Sequence, residues 1–146
     1  MGGRGLGVLI IVWGLLLILV PWVIFPVCGV GRYAPPPGQP IGVHACHGTL
    51  KAETALGILT IVLGVVPLLW FRRGVVILVS AAAVVDAVLV ILFPTVITGI
   101  CKVPTMACRM GTLPALVILG IILGLTGMSG LVIGAKMKIS PGSELR

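Results

Sequence analysis

Residues 74–93 read GVVILVSAAAVVDAVLVILF. One ionisable side chain, Asp86, interrupts a run that is otherwise uncharged. A helix needs about 20 predominantly apolar residues to cross a hydrocarbon core of ~30 Å, and this stretch has that length. Three more stretches are alike: about 6–27, 52–71 and 113–135. The composition agrees. Of 146 residues 59% are hydrophobic and 9% charged, against about 25% charged in a soluble domain. Ten basic and three acidic residues cannot cover a water-soluble globule of this size. A soluble enzyme is therefore excluded, and so is disorder, which requires low hydrophobicity. In lipid the backbone must satisfy its own hydrogen bonds, so each stretch is expected to be helical. The expected fold class is all-α: one integral membrane four-helix bundle, with the lipid bilayer as its surroundings.

The first stretch is expected to be a span and not a signal peptide. Its apolar run exceeds the 7–15 residues usual in such a segment, and no small-x-small site follows it. A lipoprotein reading of Cys28 fails too, because Phe25, Pro26 and Val27 precede it. Pro21 is expected to kink this helix, with Trp22 and Phe25 in an aromatic belt at the membrane surface. The connections alternate. Arg72, Arg73 and Gly74 make a tight turn, whereas loops at about 28–51 and 94–112 are long and carry prolines. Four spans place both termini and the tight turn on one side. That side holds Arg4, Arg72, Arg73, Lys136, Lys138 and Arg146, and the loops hold Arg32, Lys51, Lys102 and Arg109. Lys and Arg favour the cytoplasmic side, so both termini are expected inside, in a multi-pass protein of the plasma membrane. The net charge of +7 belongs to this topology. No basic patch interleaved with aromatics points to nucleic acid.

The chain reads as a duplication. Phe25-Pro26 is matched by Phe93-Pro94, Ala45-Cys46 by Ala107-Cys108, and Gly48-Thr49-Leu50 by Gly111-Thr112-Leu113. ALGILTIVLG at 55–64 is matched by ALVILGIILG at 115–124. The bundle is then expected to consist of two parallel helix–loop–helix repeats about an axis along the membrane normal. Helix association in lipid relies on small residues. Gly120, Gly124, Gly127 and Gly134 share one face of the last helix, Gly57 and Gly64 one face of the second, and Gly7 and Gly14 one face of the first. The third helix offers Ala81, Ala82 and Ala83. These faces are read as packing within the bundle. A homo-oligomer or partner seam at the 120–124 and 130–134 pairs is the other reading. Thr49 and Thr112 are placed at helix starts, where each can cap free N–H groups, and Pro114 suits a first turn.

Asp86 is the strongest candidate for function, since an intramembrane carboxyl is a functional site by default. No Lys or Arg lies at its depth, so its partners are expected among Ser80, Thr60, Thr126 and Ser129, a backbone carbonyl or another subunit. A structural hydrogen bond, a partner contact, and a proton or substrate relay are the three roles open to it. Glu53 is placed in the first turn of the second helix, where an acid suits the helix dipole, and no second carboxylate is seen for acid–base work. The four cysteines, Cys28, Cys46, Cys101 and Cys108, all fall in the long loops. An even count on one side suits disulfides in an oxidising compartment. Cys28–Cys46 and Cys101–Cys108 are favoured because each closes a short loop, and pairing across the hairpins stays open. A metal- or haem-linked alternative uses His44, Cys46, His47, Met106, Cys108 and Met110, as soft sulfur ligands suit Cu(I) and His with thiolate suits Zn. No serine triad, phosphate loop or nucleotide fingerprint is present, no cofactor is implied, and an enzyme is not favoured.

Four spans with two exoplasmic cysteine pairs resemble the layout of quinone-linked thiol–disulfide oxidoreductases of the vitamin K epoxide reductase type. Their active pair is a CxxC, which is missing here. A closer resemblance lies in HACHGTLKAETALGIL at 44–59 and PTVITGICKVPTMACRMGTLPALVILG at 94–120. These segments look like a family of small prokaryotic four-span proteins catalogued as a domain of unknown function, matching from about residue 8 to 133. The resemblance implies the four-span layout and paired loop cysteines. Members look like companions of ABC-type export permeases, so it also implies a structural or accessory subunit of a membrane complex.

Overall fold

The computed structural model describes residues 3–24, 43–70, 72–97 and 108–137, and side chains there except those of residues 3, 4, 43–47 and 108. Four helices run in chain order: α1 (Gly3–Leu19), α2 (Val43–Leu69), α3 (Arg73–Leu92) and α4 (Leu113–Lys136). π-helical turns extend α1 through Val20–Ile24 and α3 through Phe93–Ile97, and a third, Cys108–Thr112, leads into α4. All four are long and apolar enough to cross a membrane, over Gly5–Ile24, Gly48–Leu69, Arg73–Ile97 and Arg109–Lys136. The arrangement is that of an all-α, multi-pass membrane bundle.

The helix boundaries differ from the sequence reading at three points. α2 starts at Val43, so the last part of the expected first loop, residues 43–51, is helix. The polar density of residues 44–54 hides this, because even the buried positions there include Thr49 and Glu53. Thr49 accordingly lies inside α2, buried, and is not a cap. Thr112 is already in an α-helical backbone conformation and makes no side-chain cap bond, while Pro114 does occupy the first turn. Pro21 and Pro94 each take the second place of a π-helical turn. A proline lacks the N–H that would continue the ordinary ladder.

Glycine sets the packing. A Cβ on Gly64 would meet the Gly7 carbonyl oxygen at 2.8 Å and the Ile11 backbone nitrogen at 2.9 Å. One on Gly14 would meet the Gly57 carbonyl at 2.8 Å. Gly7 and Gly14 thus face Gly64 and Gly57, and α1 and α2 run antiparallel with their backbones in close approach. In the second hairpin Ile91, Val84 and Ile77 of α3 fill the hollows over Gly120, Gly127 and Gly134 of α4. Both rows repeat every seven residues, the period of a left-handed supercoiled pair. The expected Ala81–Ala83 surface is not what meets these glycines: Ala83 is buried, but Ala81 is exposed. Gly130 lies against Ser80 and Leu6, and Gly124 against Ala87 at 3.5 Å. The glycine pairs 120–124 and 130–134 therefore pack within the chain.

One end of the bundle carries the α2–α3 turn, the other the long connections. At the turn end Leu6, Ile10, Val76 and Val79 form an aliphatic cluster. Towards the loop end a larger one joins Leu17, Val20, Leu56, Ala87, Val90, Leu116 and Leu123. The Arg73 Nε donates to the Gly134 carbonyl (3.2 Å), which puts a cation on the C-terminal end of α4 where its dipole is negative. The faces turned outward are large aliphatics such as Leu78, Val85, Ile118 and Leu125, as a lipid-facing surface requires.

Candidate functional site

Between and beside the two aliphatic clusters the interior is polar. The buried face of α2 runs Thr49, Leu50, Glu53, Leu56, Gly57, Thr60, Gly64 and Pro67, the three-and-four spacing of one helical stripe. Glu53 and Thr60 sit on it and neither is exposed. Across from Thr60, Asp86 of α3 is 1% exposed. It lies mid-span, between the Val76–Val79 cluster and Val90. Glu53 and Thr60 are seven residues apart, so they stack on one face about 10.5 Å apart along the axis.

Thr60 and Asp86 are hydrogen-bonded, Oγ1 to Oδ2, and Thr60 Oγ1 also lies 2.8 Å from the Leu56 carbonyl. Thr60 is thus the partner that Asp86 finds among the hydroxyls expected for it. Thr126 donates to the Ile122 carbonyl and Ser129 to that of Thr126, each within α4. Ser80 is buried, and its hydroxyl has no partner among the described residues. Neither do Asp86 Oδ1, the Trp13 indole Nε1, or either carboxylate oxygen of Glu53.

Glu53 corrects the sequence reading. It is ten residues past the start of α2 and not in the first turn. Like Asp86 it is buried in the bundle, so the interior holds a second carboxyl that the sequence reading placed at a helix start. The signal for it was the register Thr49–Glu53–Thr60 on the same face as Gly57 and Gly64, readable once α2 is extended back to Val43.

The buried polar side chains are Thr49, Glu53, Thr60, Ser80, Asp86 and Thr112; no Lys or Arg joins them among the described residues. Such an arrangement is costly. An Asp at a helix centre is disfavoured by roughly 2.5–3.5 kcal/mol in membrane insertion, and buried unpaired polar atoms are rare enough to need a reason. Chemically, the interior can hold a positive charge. It supplies carboxyl oxygens to bind one and hydroxyls to relay or coordinate it.

The loop candidates stand apart from this site. Cys28, Cys101 and Met106 lie outside the described residues. His44, Cys46 and His47 fall in the first turns of α2 and Cys108 in the turn before α4, with side chains outside the description. Met110 is exposed. The disulfide and metal readings therefore rest on side chains outside the description, Met110 apart. On the outside of the bundle, the Trp22 indole donates to Thr54 Oγ1 (3.0 Å), beside a groove that also includes Leu50, Lys51, Ala55 and Ile58.

Fold and interior together define a multi-pass α-helical membrane protein with two carboxyls inside its bundle. A family model described as "Domain of unknown function (DUF4418)" matches residues 10–133, and the chain belongs to that family. Neither the curated proteins nor the solved structures include a match.

Proposed function

We propose that the chain is a small subunit of a membrane complex whose bundle interior binds a mobile positive charge, either a proton or a monovalent metal ion. One observation carries this: Glu53 and Asp86 are buried in the same apolar interior, three of their four carboxyl oxygens lack a partner, and no basic side chain is buried with them among the described residues. A bundle serving only as a scaffold gains nothing from two such groups. Apolar residues of similar size would pack as well without the desolvation penalty.

The remaining features fit around this centre. Six Lys and Arg on the turn side against four in the loops support cytoplasmic termini in a plasma membrane. The loops are then exoplasmic, where their four cysteines form disulfides. The pairing of α1 with α2 and α3 with α4, each first helix ending in a π-helical turn with proline second, supports a duplicated hairpin. The accessory role beside a larger permease rests on the resemblance in residues 44–59 and 94–120.

Charge binding is tested by adsorbing proteoliposomes to a solid-supported membrane and applying jumps of pH, Na⁺ or K⁺. A transient charge displacement is expected for at least one of these, and its loss in Glu53→Gln with Asp86→Asn. Wild-type protein that gives no displacement with any of the three would sink the reading. Recovery of a second membrane protein with the chain in mild detergent is the expected sign of the accessory role.

A further inference from the structure

We infer that the charge is a proton, that it is exchanged with the loop end only, and that the Thr60 hydroxyl turns over as Asp86 gains or loses it. This rests on the charge-binding reading above and names its ligand, its side of entry and its positioning residue.

The first argument is a count of hydrogens. Thr60 Oγ1 lies within hydrogen-bonding reach of both the Leu56 carbonyl and Asp86 Oδ2. Both of those are acceptors when Asp86 is ionised, yet a hydroxyl has a single hydrogen to donate. Two states satisfy the geometry in turn. With Asp86 ionised, Thr60 donates to Oδ2 and leaves the Leu56 carbonyl to its helix bond. With Asp86 protonated, the carboxyl O–H donates to Thr60 Oγ1, and Thr60 donates to the Leu56 carbonyl. The second state makes both contacts into hydrogen bonds at once. One added proton therefore reverses the direction of the Thr60–Asp86 bond, with no heavy atom displaced and no other co-reactant. With a metal ion held between Asp86 and the Thr60 oxygen, Thr60 would also donate to the Leu56 carbonyl, but no carboxyl O–H would form, and that difference is what the infrared test reads.

The second argument is the distribution of buried polar groups along the bundle. Thr49, Thr112 and Glu53 lie in the loop half, Thr60 and Asp86 at mid-span, and Ser80 just beyond. From there to the turn end, the buried side chains of α1 and α3 are Leu6, Ile10, Val76 and Val79. A proton moving from the loop end meets Glu53 first, about two helical turns above Thr60. The aliphatic cluster of the loop half is interrupted by Thr49, Glu53 and Thr112, whereas past Ser80 the buried side chains are aliphatic without interruption among the described residues. Glu53 is then the entry carboxyl and Asp86 the inner one. The path is a blind well and does not cross the bilayer.

Among the described side chains, no titratable group other than Glu53 and Asp86 is buried. The other buried carboxyl is Glu53, on α2. α1 presents Trp13 at this depth, and the buried positions of α4 are Leu and Gly. Lys51, Arg72, Arg73, Arg109 and Lys136 stand towards helix ends and are not buried.

The test is infrared difference spectroscopy of the protein in nanodiscs, following the C=O stretch of protonated carboxyls, together with pyranine-loaded proteoliposomes. A band that grows as pH falls is expected, unmoved when Na⁺ replaces K⁺ at fixed pH. Asp86→Asn should remove its main component. Thr60→Val should shift the frequency of that component, and Thr60→Ser should restore it, which a merely space-filling role would not require. In the liposomes a pH jump on the loop side should bring a single uptake of protons and no steady flux under a K⁺/valinomycin potential. A charge displacement that follows Na⁺ or K⁺ with no carboxyl band would overturn the proton assignment and leave the charge-binding reading standing. Steady flux would overturn the one-sided path. An unshifted band in Thr60→Val, with wild-type helicity by circular dichroism, would overturn the role of Thr60. If Thr60→Val does not fold, Thr60→Ala and the Asp86→Asn band carry the comparison.

Discussion

At the scale of single residues, the interior trades stability for chemistry. Glu53 is completely buried with both carboxyl oxygens unpartnered among the described residues, and each orphaned polar group in an apolar site costs about 1–3 kcal/mol. Glu53→Leu fits the same space with apolar atoms and should stabilise the bundle by about that amount, read as a higher unfolding midpoint in detergent. The same variant should lose the charge displacement. A destabilised Glu53→Leu would mean that the carboxyl has a structural partner after all. The two carboxyls were not equally legible. Asp86 stands alone in twenty apolar positions, so its depth follows from counting. Glu53 sits beside Lys51 and Thr54 in a segment that averages as polar, and only the helical register separates its buried face from its wet one. Reading the segment as a loop edge put Glu53 at a helix start, where an acid needs no further explanation.

Helices, in this protein, are held by backbone proximity more than by side-chain volume. Adding a methyl at Gly64 drives it against the Gly7 carbonyl and the Ile11 nitrogen, both main-chain atoms that cannot rotate away. Gly64→Ala should therefore separate α1 from α2 and cost about 1–3 kcal/mol, the range for overpacked cores. Gly74 is the control, because a Cβ there meets nothing within 4 Å. Gly74→Ala should leave stability unchanged or raise it by up to about 1 kcal/mol, since Ala is the better helix former. Unfolding by SDS titration, followed by circular dichroism, compares the two, and equal midpoints would refute close packing at Gly64. The seven-residue glycine spacing was visible in the sequence because it is a property of one helix. The opposing knobs were not. Ile77, Val84 and Ile91 look like any other aliphatics of a span, and only the orientation of α3 about its own axis selects them over Ala81 and Ala82. The helix starts were hidden for a related reason. Hydropathy marks where lipid begins, whereas α2 continues as helix past that boundary to Val43.

For the whole molecule, antiparallel packing fixes which chain segments share a side. Gly7 meets Gly64 and Gly14 meets Gly57, so α1 and α2 run in opposite directions, and Ile77 over Gly134 with Ile91 over Gly120 sets α3 against α4 in the same way. The short link between α2 and α3 adds a third reversal, held by the Arg72 N–H to the Trp70 carbonyl (3.0 Å) and the Val76 N–H to the Arg72 carbonyl (3.0 Å). Trp70 and Met110 therefore belong to opposite ends, and both are exposed, at 66% and 73%. In a background with the four native cysteines replaced by serine, Trp70→Cys and Met110→Cys should react with a membrane-impermeant maleimide from opposite sides. With the termini inside, as proposed, Met110→Cys should label in intact cells, and Trp70→Cys only after the membrane is opened. If the serine background does not fold, reporter fusions at the C-terminus and after residue 110 read the same difference. Labelling of both positions from one side would break the four-span arrangement. The opposite pattern, with Trp70→Cys labelled in intact cells, would keep the arrangement but turn the carboxyl well towards the cytoplasm. Glu53 would then sample cytoplasmic pH, and the cysteines would face a reducing compartment in which stable disulfides are rare.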